Sequence, residues 1–461
     1  MKYDKSSPQS IETFAKTLEG KTMREVASEY NVGGGKGKLG QLVETDFFGY
    51  GLNSSSEPDF FEAGIELKVC PVKRINKKPS SDIMIKRLGL SAKERIIISI
   101  INFDKVVNEK WETASFRKKM HMLLMFYLYD NSVEVDQQKF NLISLWEPSS
   151  QDLQIIKSDW HKIHKKIVEG KAHELSEGDT MYLGACTKGA TKESTRVQPN
   201  SESRAMQRAF SLKRNYVDFI YDELLIKRQG RQERESSASH YDFFAELLKR
   251  LNELKGNSVD TIMASKSIKR ERNAKHFLSL FSKDLISILY GKSFNKIKEL
   301  EKSGMELKCI LIGPNGVPKE SMSFEQIDYC KIISEDWENS FIRDKFENKK
   351  HLWLVYRTHN IYKLQSEIDL KDIYFEKAMY WNMPIIDLDT HYYRLWEDTV
   401  RKIRSGIYGE FLKTTENEVG HIRPKAKDVN DVMLTPQGNY ERKISFWLNA
   451  NYVAKQIENN E

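Results

Sequence analysis

Apolar positions along the chain follow two periods and predict strands and helices in alternation. Strict alternation or short apolar runs predict strands at residues 64–72, 96–101, 123–128 and 140–146. The run at 96–101 is rich in β-branched residues, which is typical of a buried central strand. Apolar residues at helical spacing predict helices at residues 10–30, interrupted at Gly20, at 39–47 and at 153–168. This pattern indicates an α/β or α+β fold, with a mixed sheet flanked by helices.

One of the predicted strands carries an unusual set of charged residues. Asp59 and Glu66 are followed by Lys68, and side chains two apart on a strand share a face, so Glu66 and Lys68 should lie side by side. If Asp59 approaches from a neighbouring strand end, two carboxylates converge as ligands for Mg²⁺. Lys68 could then hold the attacking water during metal-assisted hydrolysis of a phosphodiester. The alternative is a solvated strand face, because Glu and Lys at this spacing also occur by chance.

Composition narrows the class of protein without identifying it. The 461 residues include 73 Lys and Arg against 66 Asp and Glu, a mild positive excess that is compatible with binding DNA phosphates and equally with a plain soluble protein. The four cysteines lack the spacing of a zinc cluster and fit reduced thiols. No apolar run is long enough to span a bilayer. We therefore expect a soluble, cytoplasmic protein that does not bind membranes.

Motifs on both sides of the acidic strand carry a family resemblance. Upstream, a glycine-rich segment ends on Glu44; downstream, Trp111-Glu112-Thr113-Ala114-Ser115 leads into a basic cluster that ends on Lys119. Together with Asp59, Glu66 and Lys68, these motifs resemble the family of the MutH mismatch-repair endonuclease and the related type II restriction endonucleases that cut at GATC. The resemblance implies a PD-(D/E)xK restriction-endonuclease-like fold and Mg²⁺ bound by Asp59 and Glu66. It also implies support of metal and phosphate by Glu44 and Lys119.

Candidate DNA-binding residues follow further along the chain. The segment Phe210-Ser211-Leu212-Lys213-Arg214-Asn215-Tyr216 resembles a family segment in which a lysine contacts the recognition bases, so Lys213 is the candidate base reader, with Arg214 beside it. The polar, basic tract at residues 188–208 could order on a phosphate backbone or remain an exposed loop.

The second half of the chain repeats the first. A constant shift of about 240 residues places Glu66 and Lys68 on Glu306 and Lys308. The same comparison, with small changes of offset, gives a degenerate second site that consists of Asp284, Glu299, Glu306, Lys308 and Lys345. Asp284 replaces Glu44 and Glu299 replaces Asp59, so each carboxylate changes reach by one methylene. This puts cutting by the second copy in doubt, although a second active site stays open.

Further differences mark the second copy as a DNA-binding domain. Asn449 stands at the position of Lys213, and a basic turn carries Arg423 and Lys425 as further DNA-binding candidates. Residues 1–226 are then the catalytic domain, the almost wholly polar stretch 227–240 the linker, and 241–461 the DNA-binding, allosteric copy.

The leading hypothesis is a Mg²⁺-dependent type II restriction endonuclease that acts on double-stranded DNA at GATC and self-associates on DNA bearing two sites. The alternatives are a MutH-like mismatch-repair nicking endonuclease and a non-cutting DNA-binding regulator.

Overall fold

The chain divides into two compact units. The computed structural model describes residues 3–26, 37–51, 57–75, 89–189, 193–229, 242–272, 276–361 and 368–459. Unit 1 contains Met1–Asp242 with Glu301–Ser303, and unit 2 contains Phe243–Leu300 with Gly304–Glu461. Among the described residues, no helix has both the length and the apolar character needed to cross a bilayer. The polar linker that the sequence predicts at 227–240 falls mostly outside these ranges, and the helix before it continues to Arg228.

Unit 1 contains a four-stranded mixed sheet that carries the acidic motif. Its strands are β1 (Glu66–Arg74), β2 (Leu90–Ala92), β4 (Met122–Leu128) and β5 (Lys139–Trp146), in the order β2-β1-β4-β5. Strand β1 runs parallel to β4, and the other pairs are antiparallel. Strand β2 pairs with β1 at Val72–Arg74, near the end of β1. The beginning of β1 therefore pairs with β4 along one edge, and the loop that carries Asp59 lies along its other edge.

A second sheet of unit 1 corrects one expectation from the sequence. Strands β3 (Ile96–Ile100), β6 (Leu183–Thr187) and β9 (Arg208–Leu212) form a three-stranded sheet in the order β3-β9-β6. The isoleucine-rich segment is therefore an edge strand of a separate sheet and not a central strand beside the acids. Its burial decreases toward one end: Ile96 and Ile98 are buried, whereas Ile100 is 51 % exposed. The basic tract at 188–208 carries a small hairpin, β7 (Thr195–Arg196) with β8 (Ala205–Met206), and its residues 190–192 lie outside the described ranges.

Helices cover the sheets of unit 1. Their bounds are Pro8–Lys16, Met23–Val26, Lys38–Leu42, Phe103–Val106, Ser150–Val168 and Arg214–Arg228. The predicted helix at 10–30 is in fact two helices separated at Gly20, whose φ of +78° suits glycine, and residues 27–36 are not described. Ile11 and Ala15 of the first helix pack in one apolar core with Leu123 and Phe140 of the sheet.

Unit 2 repeats the strand order of unit 1. Strands β10 (Glu306–Ile312), β12 (His351–Thr358) and β13 (Ile373–Trp381) form one sheet, in which β10 runs parallel to β12. The second sheet has the order β11-β17-β14, and the hairpin is β15-β16; their bounds are Met322–Gln326 (β11), Gly420–Pro424 (β14), Val432–Leu434 (β15), Tyr440–Arg442 (β16) and Ile444–Leu448 (β17). The helices of this half are Phe243–Asn252, Val259–Ser265, Phe277–Tyr290, Lys298–Ser303, Tyr329–Ile332, Phe341–Glu347, Ile385–Asp387, Tyr393–Arg404 and Ala450–Glu458.

Strand registers align the two units residue by residue. Glu66 pairs with Met122, and Glu306 pairs with His351, at the same point of the two parallel ladders. In the second sheets, Leu212 is flanked by Ile96 and Leu183, and Leu448 by Met322 and Gly420; these pairings put Gly184 in register with His421. The repeat that the sequence indicates is therefore also a repeat of pairing.

Candidate active site

The beginning of β1 positions a carboxylate against an ammonium group. Glu66 is buried and Lys68 half-buried on the same face of the strand, and the Lys68 Nζ donates to Glu66 Oε1 at 2.7 Å. The intervening Leu67 points into the core. This arrangement agrees with the alternation read from the sequence, except that Glu66 is far more buried than a solvated strand face would allow.

A tight turn returns Asp59 to the same strand. Phe60 and Ile65 form an isolated antiparallel bridge, and Gly64 between them has a φ of +67°, which an L-residue with a Cβ rarely adopts. Because the chain doubles back here, the Asp59 Oδ2 accepts a hydrogen bond from the Leu67 N–H at 2.9 Å. Asp59 thus lies beside Glu66 although seven positions separate them.

Lys119 supplies a second ammonium group to the Glu66 carboxylate. It ends the 3₁₀ helix Ser115–Lys119 that follows the tryptophan motif, and it is 9 % exposed. Its Nζ lies 3.3 Å from Glu66 Oε1 and 3.2 Å from Oε2. The Glu66 carboxylate therefore contacts two lysine ammonium groups, both of which the sequence singled out.

Glu44 belongs to the same electrostatic cluster. It lies in a π-helical turn, Val43–Phe47, that continues the helix Lys38–Leu42. Burial, followed by the charges of Asp59 and Glu66, raises the pKa of Glu44 above its ordinary value. Burial and the charge of Glu66 likewise raise the pKa of Asp59. The negative charge around Glu44 and Asp59 that penalises their ionisation marks a site that a cation would stabilise.

These donors fit a hard divalent cation that keeps part of its hydration. In the described part of the chain, no three His, Cys, Asp or Glu side chains are close enough to form a ligand set by themselves. Magnesium commonly binds one or two carboxylates and completes its shell with water and phosphate oxygens. Asp59 and Glu66 supply such a pair, and the buried Glu66 Oε2 has the ion-pair contact with Lys119 but makes no hydrogen bond with any described residue. The residues present therefore match the chemistry of this ion.

Lys213 is placed differently from an exposed base reader. It precedes the helix Arg214–Arg228 and is 3 % exposed, and its ammonium donates to the carbonyls of Glu177 at 2.8 Å and Thr180 at 2.9 Å. Burial lowers the pKa of Lys213 to about 8. To reach a base it must exchange both carbonyl bonds, whereas Arg214 is already exposed. The DNA-contacting roles of both residues stay predictions.

The corresponding cluster of unit 2 is held together by lysines. Lys345 donates to Glu306 Oε1 at 3.0 Å and also pairs with Glu325. Lys349 approaches the same Glu306 oxygen at 3.2 Å. Burial alone would raise the pKa of Glu306, but Lys349 and Lys345 outweigh it and lower the pKa to about 2.

Two other members of the degenerate set have different surroundings from their counterparts. Asp284 pairs with Arg270 at 2.6 Å, and Glu299 lies on the helix Lys298–Ser303, whereas Asp59 lies in a turn. Of the DNA-binding candidates, Arg423 is exposed and stacks 3.8 Å over the Trp447 ring, and Lys425 donates to the Phe324 carbonyl.

The sequence patterns did not indicate Lys349 and Glu325. Lys349 belongs to a short insertion relative to unit 1, because three more residues separate Lys345 from β12 than separate Lys119 from β4. The sequence feature that could have indicated Lys349 is the basic run Asn348-Lys349-Lys350 before a strand. Glu325 lies on β11 at the register position of Ser99 in unit 1, which only the strand pairing shows.

The fold and this cluster define a site-specific DNA endonuclease of the restriction-enzyme class. The family model described as "DNA mismatch repair enzyme MutH" matches residues 48–159 and 291–390, once in each half of the chain. The chain is 30 % identical to the type II restriction enzyme Sau3AI of Staphylococcus aureus, covering 98 % of both chains. It is also 28 % identical to the DNA mismatch repair protein MutH of Shewanella woodyi and 27 % identical to that of Actinobacillus pleuropneumoniae. Each of these matches covers 46 % of this chain and over nine-tenths of the relative.

The chain therefore belongs to the MutH family. The single-copy relatives align with about half of it, whereas the restriction enzyme aligns with nearly all of it.

Proposed function

We propose that this endonuclease is a type II restriction enzyme that hydrolyses double-stranded DNA at GATC with Mg²⁺ as its cofactor. The observation that carries the proposal is the convergence of Asp59, Glu66, Lys68 and Lys119 at the beginning of β1. The near full-length similarity to a restriction enzyme supports restriction over repair.

Each residue of the cluster has a chemical role in this proposal. Asp59 and Glu66 hold the cation, and Glu44 adds negative charge that favours its binding. When bound, Mg²⁺ supplies positive charge that stabilises the developing charge on the phosphate. Lys68 orients the water that attacks phosphorus, and Lys119 neutralises charge on the scissile group. The buried contact of both lysines with Glu66 fixes their positions before DNA arrives.

The two halves have different tasks in this proposal. We assign cleavage to residues 1–226 and DNA binding to residues 241–461, joined by a linker at 227–240. Arg423 and Lys425 of the second half are assigned to DNA contacts. The cytoplasmic location and self-association on DNA with two sites stay predictions from the sequence.

Incubation of the purified protein with plasmid DNA that contains GATC tests the activity. With Mg²⁺ we expect discrete double-strand fragments whose ends map to GATC, and with EDTA we expect intact DNA, because the carboxylates alone cannot stabilise the transition state. A plasmid in which every GATC is altered by one base pair is the matched control. Nicked circles would favour the mismatch-repair alternative, and bound but intact DNA would favour the regulator.

Substitution of Lys213 tests the proposed base contact. We expect Lys213→Met to reduce the preference for GATC over sites with one substituted base pair by roughly tenfold to 100-fold, because one good base contact is worth about 1–3 kcal/mol of discrimination. The measurement is kcat/KM on duplexes that carry GATC or each single substitution.

Lys165→Met is the matched control, since Lys165 is exposed and its ammonium forms an ion pair with Glu169 on the same helix end. Thermal melting of both variants separates lost discrimination from lost folding. A Lys213→Met enzyme that keeps its melting temperature and its full preference would remove Lys213 from the recognition site.

A further inference from the structure

Each unit has a cluster of charged residues, around Glu66 in unit 1 and around Glu306 in unit 2, and each cluster is called the cleft of its unit. The two clefts have opposite net charges. In unit 1, the carboxylates of Glu44, Asp59 and Glu66 face the two ammonium groups of Lys68 and Lys119. In unit 2, two carboxylates, Glu306 and Glu325, act together with four lysines, which are Lys308, Lys345, Lys349 and Lys425. The first arrangement favours a cation, and the second favours an anion.

The central carboxylate of unit 2 is already neutralised. The Glu306 Oε1 accepts from Lys345 at 3.0 Å and from Lys349 at 3.2 Å. Glu66 of unit 1 also contacts two ammonium groups, but in unit 2 the second one comes from Lys349, in the stretch that is longer in this unit, and not from Lys308, the counterpart of Lys68. At Glu66 the negative charges of Asp59 and Glu44 offset the two ammonium groups, whereas four lysines surround two carboxylates in unit 2, so a divalent cation at Glu306 would cost more Coulomb energy.

Lys308 is left without an acceptor. Its counterpart Lys68 donates to Glu66 at 2.7 Å. The Lys308 ammonium makes no hydrogen bond or ion pair with any residue in the described ranges, and it lies 4.8 Å over the Phe324 ring. Burial lowers the pKa of Lys308 below its ordinary value, against the opposing charge of Glu306. An ammonium group with three donors and no acceptor is prepared for an anionic ligand from outside.

We propose that the cleft of unit 2 binds a phosphodiester group of the DNA backbone through Lys308 and Lys349, with no divalent cation. Lys345 stays on the carboxylates and holds the cleft in shape. The inference rests on the proposed DNA-binding role of unit 2 and gives it a specific contact: the position that holds metal in unit 1 holds a phosphate in unit 2.

The salt dependence of DNA binding tests this contact. The full chain is titrated with a GATC duplex by fluorescence anisotropy in EDTA over a range of salt concentrations. Each lost phosphate contact should lower the slope of log K against log salt by about one. We expect this decrease for Lys308→Gln and for Lys349→Gln, and we expect Lys308→Arg to keep the slope of the unmodified protein.

Lys331→Gln is the matched control, because Lys331 is an exposed lysine of the same unit with a carboxylate partner, Glu335. Thermal melting verifies folding, and the Lys349 side chain is 30 % exposed, so its substitution should be tolerated. If Lys308→Gln and Lys349→Gln bind with the slope of Lys331→Gln, the phosphate contact does not exist.

A second experiment locates the metal without reference to activity. Fe²⁺ with ascorbate and peroxide cleaves a polypeptide near the bound ion, so we expect cuts near Asp59 and Lys68 and no cuts near Glu306 and Lys308. Cuts near Glu306 would overturn the inference and leave the proposed nuclease activity intact. Conversely, failure to cut GATC DNA with Mg²⁺ would overturn the proposed function, while the measurements in EDTA would still decide the phosphate contact.

Discussion

Glu66→Ala is expected to lower the Mg²⁺-dependent cleavage rate by roughly 10³-fold or more while the protein still binds DNA. Glu66 is both a proposed metal ligand and the residue that holds Lys68 and Lys119, at 2.7 Å and 3.2 Å. Loss of a metal site removes several kcal/mol of transition-state stabilisation, and about 4 kcal/mol corresponds to 10³ in rate. Single-turnover cleavage of a GATC duplex measures the rate, and gel retardation in EDTA measures binding.

Two companion variants sharpen this result. Glu66→Gln keeps the side-chain volume and should be equally inactive, because the amide is neutral and a poor ligand for Mg²⁺. Glu94→Ala is the matched control, since the Glu94 side chain is 58 % exposed and pairs with its neighbour Lys93; it should cut at the normal rate. Cleavage that survives Glu66→Ala would place the active site elsewhere in the chain.

The proximity of the charged residues around Glu66 was predictable from the sequence because most of them are close along the chain. Glu66 and Lys68 are two residues apart on one strand, so period-two alternation is enough to put them together. Asp59 needs only one more step, the turn at Gly64. Glu44 and Lys119 lie farther away along the chain, and the family motifs, rather than periodicity, joined them to the set.

Features that depend on strand pairing could not be predicted in this way. The Ile96 segment has the composition of a central strand, yet it is an edge strand, because composition does not state which strand pairs with it. Lys213 has the right motif, but its ammonium is turned onto two backbone carbonyls that are contributed by residues more than 30 positions away. The proximity of Lys349 and Glu325 to Glu306 could not be predicted, because it depends on how two strands and the end of a helix lie around Glu306.

The duplication places different side chains at equivalent backbone positions. The N–H groups of Lys213 and Asn449 donate to equivalent carbonyls, of Tyr182 and Val419, each at 2.9 Å. Lys213 extends past Gly184, where an added Cβ would lie 3.4 Å from the Lys213 Cγ. In unit 2 that glycine is replaced by His421, which contacts the shorter Asn449 at 2.6 Å. Paired changes of this kind alter the side chain that precedes the last helix of each unit while the backbone pairing stays the same.

Asp159→Ala is expected to destabilise unit 1 by about 3–5 kcal/mol and to lower its melting temperature by about 10 °C. Asp159 is fully buried, and its carboxylate accepts from the N–H groups of Met181, Tyr182 and Leu183 at 2.9, 2.7 and 3.0 Å. Each donor left without an acceptor costs about 1–3 kcal/mol, and water that enters the space would recover part of it. Differential scanning calorimetry measures the change.

Unit 2 provides the matched comparison for this change. The Asn417 Oδ1 accepts from the N–H groups of Val419 and Gly420, at 3.1 and 3.0 Å. These N–H groups lie at the beginning of β14, the strand of unit 2 that corresponds to β6. Since a neutral amide serves two donors where a carboxylate serves three, Asn417→Ala should cost less than Asp159→Ala. Asp104→Ala, at an exposed aspartate of unit 1, should leave the transition in place. If Asp159→Ala has the same melting temperature as the Asp104→Ala control, these N–H groups find other partners. The Asp159 carboxylate would then have no structural role at the beginning of β6.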